Sequence, residues 1–135
     1  ITLSAVKTTS ALDTLATAVS DFATAMIGCG EWDKIKKARN ASEYFYYSFY
    51  IDLYDFTEEI YSRVTSTTVK DAAVAVGNAI NNAVIAEAHS PDLPYAHGIS
   101  IYFPTNGPSS NYNNTNFAVD TQWDEFLNAY DVNTK

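Results

Sequence analysis

The chain has 135 residues, enough for one domain and too few for a complete two-domain enzyme. Hydrophobic residues make up 47% of it, which supports a single core over residues 1–135 and excludes global disorder. The formal net charge of −8 repels phosphate backbones and anionic lipids, so nucleic acid and membranes are not expected partners. One cysteine and two histidines give no internal disulfide and, without carboxylates, no closed zinc site, so we expect no metal and no cofactor.

The N-terminal third predicts a strand followed by two helices. Polar and apolar residues alternate at 2–6, as in a half-buried strand. From Leu12 to Met26 the apolar residues recur on one helical face, and the glycines at 28–30 end that helix. Residues 31–39 have the acidic start and basic end that suit a short helix. We interpret the basic end as a solvated helix face, not as a binding patch.

The next segment, residues 42–64, is rich in aromatic side chains. In its second half Asp52 can cap a helix on which Leu53, Phe56, Ile60 and Val64 form one stripe. Its aromatic rings allow two interpretations, a stacking platform for sugars or bases and packing in a core or interface, of which we favour packing. The rings are Tyr44, Phe45, Tyr46, Tyr47, Phe49, Tyr50, Tyr54, Phe56 and Tyr61.

A third long helix and a strand follow. Thr67 or Thr68 can cap a helix that runs to about Ala88, with alanines and valines on one face. The prolines at 91–94 end it, because proline cannot sit inside a helix. Residues 98–103 predict a buried strand.

The C-terminal part predicts a polar loop and a final helix. Residues 105–116 lack apolar periodicity, and Thr121 and Asp124 have the spacing of a capping box before a helix over 123–130. We therefore expect a mainly α fold of about five helices, with the two predicted strands as neighbours in space.

Several residues are candidates for catalysis. Cys29 with a histidine would be the smallest hydrolase pair, but a helix C-terminus disfavours the thiolate. His97 precedes a strand, where it can act as a general base, although such a histidine is more often structural. His89, Asp92 and His97 match no strong metal-ligand spacing.

Two further patterns carry little chemistry. The pair that a glycosidase needs could come from four carboxylates, but three of them lie on an exposed helical face beside the capping position, and we interpret them as solvating charges: Asp52, Asp55, Glu58 and Glu59. Glycosylation sequons at 40–42 and 113–115 are compatible with export. No phosphate-binding glycine loop or Gly-x-Ser-x-Gly elbow occurs in the sequence.

Motifs at both ends of the chain point to one family. The C-terminal motif reads Ala96-His97-Gly98-Ile99-Ser100-Ile101-Tyr102-Phe103-Pro104, then Tyr112, Phe117-Ala118 and Thr121-x-Trp123-Asp124-Glu125-Phe126-Leu127-x-x-Tyr130. Upstream lie Leu3-Ser4-Ala5-Val6 and Tyr50-Ile51-Asp52-Leu53-Tyr54-Asp55-Phe56. In this order they resemble the C-terminal region of the clostripain family of cysteine peptidases.

The resemblance implies a caspase-like and gingipain-like α/β endopeptidase, secreted or at the cell surface, that cleaves after Arg or Lys with a His and Cys dyad. In that family both dyad motifs lie N-terminal to the matched region. His97-Gly98 belongs to the C-terminal strand motif, and Cys29 lies between helices, so no catalytic residue is carried over.

We therefore expect this chain to be the helical, non-catalytic C-terminal part of a larger peptidase, inactive alone. Its partners would be the catalytic N-terminal half and, through that half, a peptide substrate. One alternative is a non-catalytic module whose tyrosine-rich surface binds a glycan or a protein. Another is a pro-segment or regulatory fragment.

Overall fold

Helices carry most of the fold in the computed structural model, which describes residues 2–7 and 10–135. Their bounds are α1 (Ser10–Cys29), α2 (Trp32–Ala41), α3 (Leu53–Arg63), α4 (Thr67–Ala83), α5 (Asn116–Asp120) and α6 (Trp123–Asn133). Helix α4 lies between α1 and α3, α2 packs on α3, and α6 packs on α1. The mainly α prediction is confirmed, and the short α5 is the helix that the sequence did not indicate.

Two small antiparallel sheets complete the described part of the chain. Strand β1 (Thr2–Val6) pairs with β3 (Val84–His89), and β2 (Tyr50–Asp52) pairs with β4 (Ser100–Tyr102). The strands expected at 2–6 and 98–103 both exist, the second in shorter form, but each pairs with a segment that was not predicted as a strand.

The two predicted strands approach each other at Gly98. Its φ of +96° lies in the left-handed region, and a Cβ there would be 3.1 Å from the Cβ of Ser4. Only glycine fits this backbone conformation and this close approach without strain. Gly98 therefore lets the loop before β4 lie directly against β1.

Helix α4 differs from its prediction at both ends. Its cap is Ser66, whose hydroxyl accepts the N–H of Val69 at 3.3 Å, and not Thr67 or Thr68. It ends at Ala83 rather than near Ala88, because the following residues pair with β1 and form β3. Pairing with a distant strand thus overrides a helical pattern that continues in the sequence.

The other helix ends follow their sequence signals only in part. Asp52 caps α3 by accepting the N–H of Asp55 at 2.9 Å, as predicted. The capping box before α6 is wrong: the cap position is Gln122, which makes no side-chain cap. Thr121 donates its hydroxyl to the carbonyl of Phe117 at 2.6 Å, at the end of α5, and that hydroxyl accepts the N–H of Trp123, not of Asp124, at 3.3 Å.

An aromatic cluster within the core surrounds the ring of Phe103, the residue directly after β4. Its ring centroid lies 4.8 Å from that of Tyr130, and the rings of Phe56, Phe126 and Trp123 surround it edge to face at 5.4–5.7 Å. All of these side chains are buried. Phe103, Trp123, Phe126 and Tyr130 of the C-terminal motif are therefore packing residues.

No helix in the described ranges is long and apolar enough to span a bilayer.

Candidate functional site

The thiol of Cys29 lies half-buried at the C-terminal end of α1. It donates to the carbonyl of Met26 at 3.3 Å, and its sulfur accepts the N–H of Glu31 at 3.4 Å. Burial raises the pKa of this thiol, so it is protonated at neutral pH. Within the described residues, neither histidine hydrogen bonds to it. The arrangement gives Cys29 no base to activate it.

His97 lies on the loop that leads into β4, next to the buried carboxylate of Asp52. Its Nδ1 lies 2.6 Å from the carbonyl oxygen of Tyr95 and 3.4 Å from Oδ1 of Asp52. Its ring packs against that of Tyr54, at 4.3 Å between centroids. Because Nδ1 faces a carbonyl acceptor, it carries a proton and donates it there.

Asp52 and Asp55 connect neighbouring loops to α3 through hydrogen bonds with backbone N–H groups. Oδ2 of Asp52 accepts the N–H of His97 at 2.6 Å while its other oxygen caps α3, and Asp55 accepts the N–H of Glu43 at 2.7 Å. Burial raises the pKa of both carboxyls, while these backbone hydrogen bonds act in the opposite sense. The expectation of an exposed, solvating charge is wrong for Asp55, which is buried and accepts a backbone N–H, as the capping Asp52 does.

The remaining carboxylates of this segment face outward. Glu58 is exposed, and Glu59 pairs with Arg63 one helical turn later. Two of the four candidate carboxylates, Asp52 and Asp55, are therefore buried, and the other two lie at the surface. Nδ1 of His89 lies 2.9 Å from Oε2 of Glu87 on β3. In the part of the chain described, no group of three or more potential ligands for a metal ion occurs.

The basic residues of α2 serve different roles. Lys34 binds the carboxylate of Glu31 at 2.8 Å, and Lys36 donates to the carbonyl of Thr134 at 3.1 Å. The expectation of a solvated face is wrong for Arg39, which is only 8% exposed. Its guanidinium donates to the carbonyls of Phe103 and Ser48, both at 2.8 Å, and so fixes the end of β4.

A row of aromatic rings lies at the surface, in which Tyr46, Tyr47 and Tyr50 are exposed and the other rings are half-buried. Neighbouring rings lie 4.6–5.9 Å apart between centroids, and the row continues from the segment before β2 across β4. We call it the aromatic surface: Tyr46, Tyr47, Phe49, Tyr50, Tyr102 and Tyr112. Tyr46 is 90% exposed and Tyr47 is 53% exposed. These two tyrosines therefore do not pack in the core of this chain.

An open groove of about 400 Å³ adjoins the aromatic surface. One bank is formed by the residues before β2 and the other by the turn after β3. Its lining residues are Glu43, Tyr44, Phe45, Tyr46, Ser90, Asp92 and Leu93. Burial raises the pKa of the Glu43 carboxyl, although the N–H of Tyr95 donates to it. The groove thus combines aromatic rings with carboxyl and hydroxyl groups.

The ribbon of β1 and β3 has one face that is apolar and exposed. The cross-strand neighbours Ser4 and Glu87 face Gly98. Since side chains alternate along a strand, the residues beside them point the opposite way. We call these the ribbon face: Leu3, Ala5, Ala86 and Ala88, all exposed. Within the described residues this sheet has only these two strands.

Sequence reasoning missed the partner strand of this ribbon and the carboxylate of Glu31. The β-branched pair Val84 and Ile85 was the available signal for β3. Glu31 joins α2 to α4 by accepting the N–H groups of Thr65 and Ser66, at 3.0–3.1 Å. No local sequence pattern predicts this contact, because Thr65 and Ser66 lie more than 30 residues from Glu31 along the chain.

Comparison with protein-family models, curated proteins and solved structures finds no match to this chain.

Proposed function

We propose that this chain is the non-catalytic C-terminal part of a secreted clostripain-like cysteine endopeptidase that cleaves after Arg or Lys. It packs against the catalytic part through the ribbon face. The observation that supports this most is the exposure of that face, where Leu3 leaves 69% of its surface in water. Alanines on both strands extend the apolar area around it.

A two-stranded ribbon is marginally stable in water by itself, and three or more strands or a covering layer are needed for independent stability. Its unpaired strand edges are also ready to accept a further strand. A larger sheet would satisfy both needs, because it would pair with an edge and place a layer over Leu3. The catalytic part of an α/β peptidase has such a sheet.

The residues that carry the resemblance support a structural role. Phe103, Trp123, Phe126 and Tyr130 are all buried around one centre, where their contribution is packing. A shared set of packing residues favours a shared part of a fold. The environment of Cys29, a protonated thiol without a base, favours catalysis elsewhere in the peptidase.

The test compares the chain alone with the longer protein encoded by the same reading frame. That reading frame should contain the His-Gly and Asp-Ala-Cys motifs upstream of residue 1. Leu3→Glu should reduce turnover of a fluorogenic Arg peptide by the longer protein, because it places a charge in the packed face. Val132→Glu, at another exposed apolar residue, on α6, is the matched control and should leave turnover unchanged.

The proposal fails if the upstream reading frame lacks the dyad motifs. It also fails if Leu3→Glu and Val132→Glu have the same effect, because the ribbon face would then not be a packing surface.

A further inference from the structure

The exposed part of the aromatic surface is formed by Tyr46, Tyr47 and Tyr50, with the half-buried Phe49 among them. A contiguous apolar patch on a protein surface usually marks an interaction site. Tyr46 is 90% exposed, so its ring is open to solvent. It meets the edge of Tyr47 at 4.7 Å, and Tyr47 stacks on Phe49 at 5.1 Å with planes only 6° apart. The rings therefore support one another as a preformed platform.

Neutral hydrogen-bonding groups border the platform on one side. Tyr102 and Tyr112 lie 4.6 Å apart between ring centroids, and the hydroxyl of Tyr102 accepts the N–H of Ser109 at 3.3 Å. The loop of residues 105–116 that carries Ser109 holds no charged side chain and is rich in asparagine and serine. These side chains both donate and accept hydrogen bonds.

Acceptors border the platform on the other side, in the groove that Tyr44 and Tyr46 share with Ser90 and Asp92. A carboxylate next to an aromatic ring can accept hydrogen bonds from neighbouring hydroxyls of a ligand stacked on that ring. The site thus offers ring faces in its middle and polar groups at its rims.

We propose that the aromatic surface and the groove beside it bind a neutral glycan with flat pyranose rings, such as β-1,4-linked glucose or N-acetylglucosamine. In these sugars the C–H bonds form apolar ring faces and the hydroxyls point outward, which matches ring faces flanked by hydrogen-bonding groups. A polyanion is disfavoured by the net charge of −8.

A basic peptide is the competing ligand, because tyrosine rings and carboxylates also attract cations. The geometry favours the glycan because the exposed rings run from Tyr46 over Tyr47 to Tyr50, so that a chain of sugar rings can contact several of them, whereas one Lys or Arg cation is held by a single ring. This proposal is independent of the peptidase assignment, since a site on this surface needs no catalytic residue.

The test is affinity electrophoresis of the chain in gels that contain hydroxyethylcellulose, glycol chitin, xylan or galactomannan. We expect retardation by at least one of these polysaccharides. Tyr46→Ala should weaken it about tenfold by removing a stacking ring, and Tyr46→Phe should restore it. Tyr61→Ala, at a half-exposed tyrosine on α3 away from this surface, is the matched control. Unfolding temperatures of the variants show that each is folded.

Three results would overturn the proposal. The first is the absence of retardation by every polysaccharide. The second is an equal effect of Tyr46→Ala and Tyr61→Ala. The third is binding of a Lys-rich peptide or of heparin that depends on Tyr46 while the neutral glycans fail to bind.

Discussion

We predict that the carboxylate of Glu31 stabilises the fold strongly by joining the start of α2 to the start of α4 through hydrogen bonds. It accepts the backbone N–H groups of Thr65 and Ser66, the hydroxyl of Thr65 at 2.9 Å, and the ammonium group of Lys34 at 2.8 Å. It therefore lies at the N-terminus of α4, where unpaired N–H groups and the helix dipole favour a negative charge.

Replacing Glu31 by Gln removes the charge but keeps the shape of the side chain. The hydrogen bond from Lys34, with the N–H groups of Thr65 and Ser66, lowers the pKa of Glu31 to about 2, although burial acts the other way. Without solvent screening, lowering the pKa from 4.5 to about 2 would stabilise the folded state by about 3 kcal/mol. Water screens the pair, since Lys34 is 41% exposed, so we expect a loss of about 1–2 kcal/mol.

Thermal unfolding at pH 7 measures this loss, which should lower the melting temperature by roughly 4–8 °C. Glu58→Gln is the matched control, because Glu58 is an exposed carboxylate on α3, and it should change stability by less than about 0.5 kcal/mol.

The pH dependence has a definite sign. Since folding lowers the pKa of Glu31, its contribution is present above the unfolded pKa and is lost as the pH falls from about 4.5 to about 2. The difference between wild type and Glu31→Gln should therefore shrink over this range. Equal effects of Glu31→Gln and Glu58→Gln at pH 7, or a difference that persists unchanged at pH 2, would refute the reasoning.

Three further substitutions test other parts of the fold. Gly98→Ala should lower the free energy of unfolding in urea by about 1–3 kcal/mol, because φ is +96° and Ser4 is close. Gly28→Ala, with open space around it, is the control and should not destabilise the chain. Phe103→Ala should cost about 3–5 kcal/mol and reduce the near-ultraviolet circular dichroism of the aromatic core; a smaller loss would contradict its central position. Arg39→Lys should lower the free energy of thermal unfolding by about 1–3 kcal/mol, since an ammonium cannot reproduce the forked guanidinium that donates to the carbonyls of Phe103 and Ser48. Unchanged stability would argue against these hydrogen bonds.

The sequence predicts those elements whose cause is local. The apolar spacing of α1 and the cap at Asp52 act within one or two turns, so a window of a few residues contains the information. The burial of Leu53 and Ile60 follows from the same periodicity.

The remaining features depend on contacts between distant parts of the chain. Residues 84–89 continue a helical pattern until pairing with β1 makes them a strand. Asp55 and Arg39 resemble surface charges in the sequence, and only the folded chain brings a backbone N–H or carbonyl to each of them. The aromatic surface was open to either interpretation, because the sequence does not tell whether a tyrosine ring lies inside or outside.

The measurement that tests the proposed function most directly is turnover of a fluorogenic Arg peptide by the chain alone, by the longer protein and by its Cys29→Ala variant. We predict no turnover by the chain alone and equal turnover by the longer protein with and without Cys29. Turnover by the isolated chain that Cys29→Ala abolishes, or no turnover by the longer protein, would contradict the proposal that this chain is the non-catalytic part of a peptidase.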